Sequence, residues 1–147
     1  MAPPADGQAG SRATAMHFPT AAEVAREMQW GRRLQGLAHA GQLVDEREFA
    51  ARLRWNAQAL HVALATNRVF FLEHDGVRYF PAFYASVPYR LRQLKEVTCM
   101  LGTLPGGSKW QFFSQPKGSL AGRTPLDALA RGDFTTVKKA ADGFANR

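Results

Sequence analysis

The chain has 147 residues, 46% of them hydrophobic and 11% aromatic, enough for a packed core and outside the composition of disordered chains. A formal net charge of +7 suits a polyanionic partner such as nucleic acid. The single cysteine, Cys99, excludes an internal disulfide framework and any multi-cysteine zinc site. Its apolar neighbours Val97, Met100 and Leu101 read as those of a buried structural thiol. No apolar run approaches the roughly 18 to 20 residues that a membrane helix needs. The first residues carry neither a basic start nor an apolar stretch of the signal-peptide kind. The expected location is the cytoplasm.

Residues 1–18 are rich in Ala, Pro, Gly and Ser and read as a flexible tail. Thr20-Ala21-Ala22-Glu23 is a capping box that opens a helix running to about Ala40. Val24, Met28, Leu34, Leu37 and Ala38 approximate its inward stripe, with Gly41 as its C-terminal cap. Arg32 and Arg33 make a solvated pair on its outer side.

The stretch from Gly41 to Tyr84 organises the chain. Leu43-Val44 is read as a short strand that adds to the hairpin further along the chain, as in winged folds. Asp45 caps a helix to Leu53, and Glu46 and Glu48 place negative charge in its first turn, where the helix dipole favours it. Phe49, Ala50 and Leu53 form its apolar face. Arg54-Trp55-Asn56 interrupts the pattern, and Asn56 caps a second helix, expected over 56–66. There Leu60, Ala63 and Leu64 face inward, while Gln58, His61 and Ala65 face outward. A hairpin follows, with strands at Val69-Phe70-Phe71-Leu72 and Val77-Arg78-Tyr79-Phe80 about a turn at His74-Asp75-Gly76. Pro81 closes its second strand.

Ala50-Ala51-Arg52-Leu53-Arg54-Trp55-Asn56 resembles the helix-turn-helix pattern Ala-x-x-Leu-Gly-Val-Ser, with Arg54 where glycine is usual. With the hairpin behind it, the unit looks like a winged helix-turn-helix. On that reading Asn56, Gln58 and His61 are the base-reading candidates, since glutamine can pair bidentately with adenine in the major groove. Arg54 in the turn, Arg68 after the second helix and Arg78 in the wing are the remaining candidate DNA contacts, Arg68 and Arg78 as phosphate ligands.

Pro88 is expected to open a further helix, with Leu91, Leu94, Thr98 and Leu101 as its stripe and Arg90, Arg92, Lys95 and Glu96 outside it. Leu104-Pro105-Gly106-Gly107 reads as a loop and as the boundary between residues 19–103 and 104–147. Ser108 caps a short helix carrying Trp110, Phe112 and Phe113, of which Trp110 and Phe112 are read as core. Thr124 caps another, with Pro125 at its first position, and Gly132 stops it. Asp133 caps the last helix, marked by Phe134, Val137, Ala140 and Ala141.

Trp110-x-Phe112, then Leu120-Ala121-Gly122-Arg123-Thr124-Pro125-Leu126-Asp127-Ala128-Leu129, Gly132 and Val137 resemble the C-terminal domain of Xre/MbcA/ParS-type antitoxins. The resemblance implies a bacterial protein that joins a helix-turn-helix to a small helical domain binding a cognate toxin, commonly a RES-domain enzyme that consumes NAD. It implies a partner surface including Gly122, Arg123 and the last helix, ending near Arg147.

No nucleophile elbow, phosphate loop, metal cluster or Ser-His-Asp set is apparent, so a non-enzyme without cofactor or metal is expected. The four histidines show no ligand spacing on one element. The expected fold is α+β and mostly α: a winged helix-turn-helix-like domain with one β-hairpin, followed by a small helical C-terminal domain. The expected function is that of a DNA-binding transcriptional regulator of antitoxin type. Its partners would be double-stranded DNA, a cognate toxin protein and a second copy in a homodimer, with no membrane. The alternative is a toxin-neutralising or other protein-interaction module with little or no DNA binding.

Overall fold

The structure, a computed structural model, describes residues 18–147; the expected tail otherwise lies outside the described residues. The chain divides into two compact units, residues 1–33 and 34–147. The architecture is α+β and mostly helical. Among the described residues there are seven α-helices and a three-stranded antiparallel sheet, and no helix is long and apolar enough to cross a membrane.

Helix α1 (Ala21–His39) starts where its capping box dictates. The Thr20 N–H donates to Glu23 Oε2 at 2.7 Å, and the Glu23 N–H donates to Thr20 Oγ1 at 3.1 Å. Val24 and Met28, expected on an inward stripe, are instead exposed, whereas Leu34 is fully buried. The helix ends at Gly41, whose φ of 81° lets the Gln42 N–H reach back to the Leu37 carbonyl at 2.9 Å.

In the second unit, β1 (Leu43–Val44) leads into α2 (Glu46–Leu53), α3 (Ala57–Ala65), β2 (Leu72–His74) and β3 (Val77–Pro81). The sheet order is β1-β3-β2, so the short strand at Leu43 does add to the hairpin. Its register pairs Leu43 with Pro81 and Val44 with Phe80. The hairpin turns on Asp75-Gly76, both with positive φ (51° and 75°), as the commonest two-residue turn requires. The first strand is shifted from its expected position. Val69, Phe70 and Phe71 form no strand, and Val69 and Phe70 are buried as a connector. Phe70 lies within about 6 Å of Phe83, Tyr84 and Phe113; burial against rings, not strand pairing, explains the apolar run.

A single 3-10 turn (Ala82–Ala85) leads to α4 (Leu91–Met100). Pro88 does not open that helix: it follows a cis peptide, and the helix begins three residues later with Arg90 at its N-cap. Helix α4 buries Leu94, Val97 and Thr98. Cys99, one residue on, is rotated away and exposed, which corrects the expectation of a buried thiol. Helix α5 (Gly106–Ser114) begins before Ser108, at a Pro105 N-cap, so two of the expected loop glycines are helical. A second 3-10 turn (Gly118–Leu120), α6 (Pro125–Ala130) and α7 (Phe134–Ala145) complete the chain.

Phe49, Phe80, Leu94, Val97, Phe112, Phe113, Val137 and Ala141 are all fully buried. Across the expected 103/104 boundary, Phe70 stacks on Phe113 and Phe83 on Trp110, with ring centroids 6.2 and 6.0 Å apart. Residues 34–147 thus share one core.

Candidate nucleic-acid interface

Helices α2 and α3 are joined by Arg54, Trp55 and Asn56 alone. Asp45 Oδ1 accepts the Glu48 N–H at 2.8 Å and fixes the start of α2. Arg54 takes the left-handed conformation (φ 58°, ψ 41°) at its end, the geometry that favours glycine at this point. With the chain so reversed, the Trp55 N–H reaches the Ala50 carbonyl at 2.9 Å. Trp55 lies edge-on to Phe49, 6.1 Å between centroids, and thereby pins the turn to the core.

Asn56 is the N-cap of α3: its Oδ1 accepts the Ala59 N–H at 2.8 Å. One lone pair of that oxygen is spent on the helix, so the amide nitrogen of Asn56 is its freer group for an outside partner. Leu60 and Ala63 are buried on one face of α3. Gln58, His61, Val62 and Ala65 are exposed on the other, as their helical spacing requires. Asn67, also left-handed (φ 57°), ends the helix and brings the Arg68 N–H to the Ala63 carbonyl at 2.8 Å. The Arg68 side chain is left in solvent at the end of that face.

Gln58, Val62, Thr66 and Arg68 line one side of an open cleft, and Lys95 of α4 lines the other. The Lys95 ammonium stands 5.7 Å from the centre of the Trp55 ring, at a range where a cation–π attraction still acts. Lys95, Val62 and Thr66 were not among the sequence-derived contacts. Lys95 carries no local signal, since it arrives from a helix remote in sequence. His61 lies on the same outward face of α3 but outside the cleft.

Arg78 is tied to the sheet. Its guanidinium carbon lies 4.5 Å from the centre of the Phe71 ring, and Nη1 lies 3.8 Å from Glu46 Oε1. It faces the end of α2 and is half exposed. Gly122 occupies a left-handed position (φ 80°) and donates its N–H to the Lys117 carbonyl at 2.9 Å. Arg123 is engaged within the fold: Nε donates to the Leu120 carbonyl at 3.1 Å and Nη2 lies 2.7 Å from Asp133 Oδ2. Asp133 therefore stands at the N-cap of α7 without capping it; its carboxylate holds Arg123. Arg147 lies over the Phe144 ring, 4.2 Å from its centre.

No family model matches the chain, and no curated protein or solved structure is significantly similar to it. The outward face of α3 and its two flanking cations therefore stand on their own geometry.

Proposed function

We propose that the chain is a DNA-binding transcriptional regulator of antitoxin type, built as a winged helix-turn-helix with α3 as its reading helix. The observation that carries this reading is the exposed face of α3. Gln58 and His61 stand on that face beside Val62, with Arg68 at its end and Lys95 across the cleft. A helix of this length enters the major groove, where glutamine reads adenine and an apolar group such as Val62 meets a thymine methyl. The two cations serve phosphates on either side. The three-residue turn behind α2 and the sheet order β1-β3-β2 support the winged form. The net charge of +7 supports a polyanion partner.

The antitoxin part rests on the resemblance of residues 110–137 to the C-terminal domain of that family. On this reading the protein acts as a homodimer on two half-sites and binds a toxin protein through the region of Gly122, Arg123 and Arg147. The protein-interaction alternative draws support from Val62, which is 47% exposed at the centre of the α3 face and fits a protein groove as well as a base edge.

Fluorescence anisotropy with the DNA upstream of its own gene and with a random duplex, at two salt concentrations, tests the reading. Tighter binding to the upstream DNA with a salt slope of several charges supports it. Weak, equal binding to both duplexes overturns it in favour of the interaction module.

A further inference from the structure

The last helix carries a second cationic feature. Thr136, Lys139 and Gly143 recur three and four residues apart along α7, so they share one face, and Arg147 follows just beyond the helix end. With Lys117 and Ser119 of the preceding turn, they line a cleft of about 430 Å³. That volume is within the range of small-ligand sites.

The cleft is built for negative charge. Lys117, Lys139 and Arg147 line it, and among the described residues no Asp or Glu side chain does. The neighbouring cations differ: Lys138 holds Glu96 at 3.1 Å, and Arg123 holds Asp133 at 2.7 Å. Two of the three lining cations are placed by one ring. Lys117 Nζ lies 4.7 Å from the centre of Phe144 and 5.4 Å from that of Phe112, and Arg147 Cζ lies 4.2 Å from the centre of Phe144. Such contacts order the side chains before any ligand arrives. Partial burial, and then the charge of Arg147, lower the proton affinity of Lys117. The C-terminal end of α7 contributes only about half a negative charge, less than the three cations it faces. Ser119 and Thr136 supply hydroxyl donors, and a Cβ placed on Gly143 would meet nothing within 4 Å. The floor of the cleft is open.

We propose that this cleft binds a compact phosphoryl anion with at least two negative charges, of the diphosphate class. Lys117, Lys139 and Arg147 supply the charge, and Ser119 and Thr136 the hydrogen bonds. The same chemistry is offered by a free diphosphate group and by the backbone of nucleic acid. The proposal does not rest on DNA reading by α3, whose residues are absent from the cleft.

Titration of the full-length protein with inorganic pyrophosphate, followed by calorimetry and by backbone amide NMR, tests it. Saturable binding is expected, with shifts at Lys117, Gly143 and Phe144. Lys139→Gln and Arg147→Gln should each weaken binding by about tenfold, the worth of one charge-assisted hydrogen bond. Gly143→Glu, which places a carboxylate on the open floor, should abolish it without lowering the thermal melt, since glutamate is the better helix former. Competition by a random duplex would identify the nucleic-acid backbone as the source of the phosphate; its absence would identify a small ligand. No saturable binding up to about 10 mM, or undiminished binding by a folded Gly143→Glu variant, would overturn the proposal.

Discussion

Gly106 lies directly against Phe71: a Cβ added to the glycine would stand 2.1 Å from the Phe71 carbonyl oxygen. The first turn of α5 thus presses backbone to backbone on the connector that carries Phe70. No side-chain rotation can relieve a clash with a carbonyl. Gly106→Ala is expected to cost about 1–3 kcal/mol or more, although alanine is ordinarily the better helix former. Gly118→Ala, at a position with open space around it, is the control. Urea denaturation of the two variants compares them, and equal midpoints would refute the contact.

A second expectation concerns Tyr84 and Thr98, buried 2.5 Å apart. The Thr98 hydroxyl donates to the Leu94 carbonyl at 2.8 Å, so the Tyr84 hydroxyl is the donor between the two. Thr98→Val strands that donor and should cost about 1–3 kcal/mol. Tyr84→Phe in the same background should recover part of the loss, which a double-mutant cycle would measure.

The same tyrosine sets an alkaline limit. Burial raises its pKa strongly above the ordinary value of 10.0, only partly offset by the bond to Thr98. Above pH 10 the unfolded chain therefore loses a proton that the folded chain keeps. Stability should fall as pH rises, by about 1.4 kcal/mol per unit for this group. Lys109, whose pKa burial lowers, acts in the opposite sense just below its ordinary 10.5. The tyrosine contribution is accordingly the difference between wild type and Tyr84→Phe in denaturation across pH 9–11. Parallel curves would exclude it.

Arg54 holds a left-handed conformation that an L residue adopts at a cost of about 1–2 kcal/mol. Glycine removes that strain but frees the unfolded chain, so Arg54→Gly should gain up to about 1 kcal/mol. Ala121, with the same φ of 58°, offers a comparison outside the cleft that α3 lines. If Arg54 touches DNA, its glycine variant should melt higher and bind more weakly, whereas Ala121→Gly should only melt higher. Anisotropy and thermal melts on the pair separate the two effects.

Lys95 and Arg68 flank the face of α3. Lys95→Ala and Arg68→Ala should weaken specific and random duplexes alike and lower the salt slope by about 0.9 for each phosphate contact removed. Gln58→Ala should instead erode the difference between specific and random DNA, at about 1–3 kcal/mol. A uniform loss from Gln58→Ala would remove it as a base reader.

The elements that depend on local chemistry were legible in the sequence. Asp45, Asn56 and Thr124 each accept the N–H three residues on, because a cap acts within one turn. Asp75-Gly76 followed from turn chemistry, and a strand at Leu43-Val44 beside the hairpin from the likeness to winged folds, which left its partner strand unassigned. What failed depended on neighbours remote in sequence. Apolar content does not distinguish a strand from a buried connector, so Phe70 was misplaced. Glycine punctuation at Gly106 concealed a close packing contact. The candidate interface was read on α3 but not on Lys95, since only the folded chain brings α4 beside it. The ion pair between Arg123 and Asp133 had no counterpart in the sequence reading, because ten residues and a whole helix separate the two.

The sheet has one more consequence, in time rather than space. Hairpin β2–β3 closes over two residues, whereas β1 reaches β3 only after the whole stretch from Val44 to Phe80, with α2 and α3 inside it, has been drawn into a loop. Closing such a loop is slow compared with closing a hairpin, and it is secured by two residue pairs of the sheet and by the Phe49 ring, stacked 4.7 Å from Phe80. The α2–α3 pair should therefore join the second unit late, after the hairpin it packs on has formed.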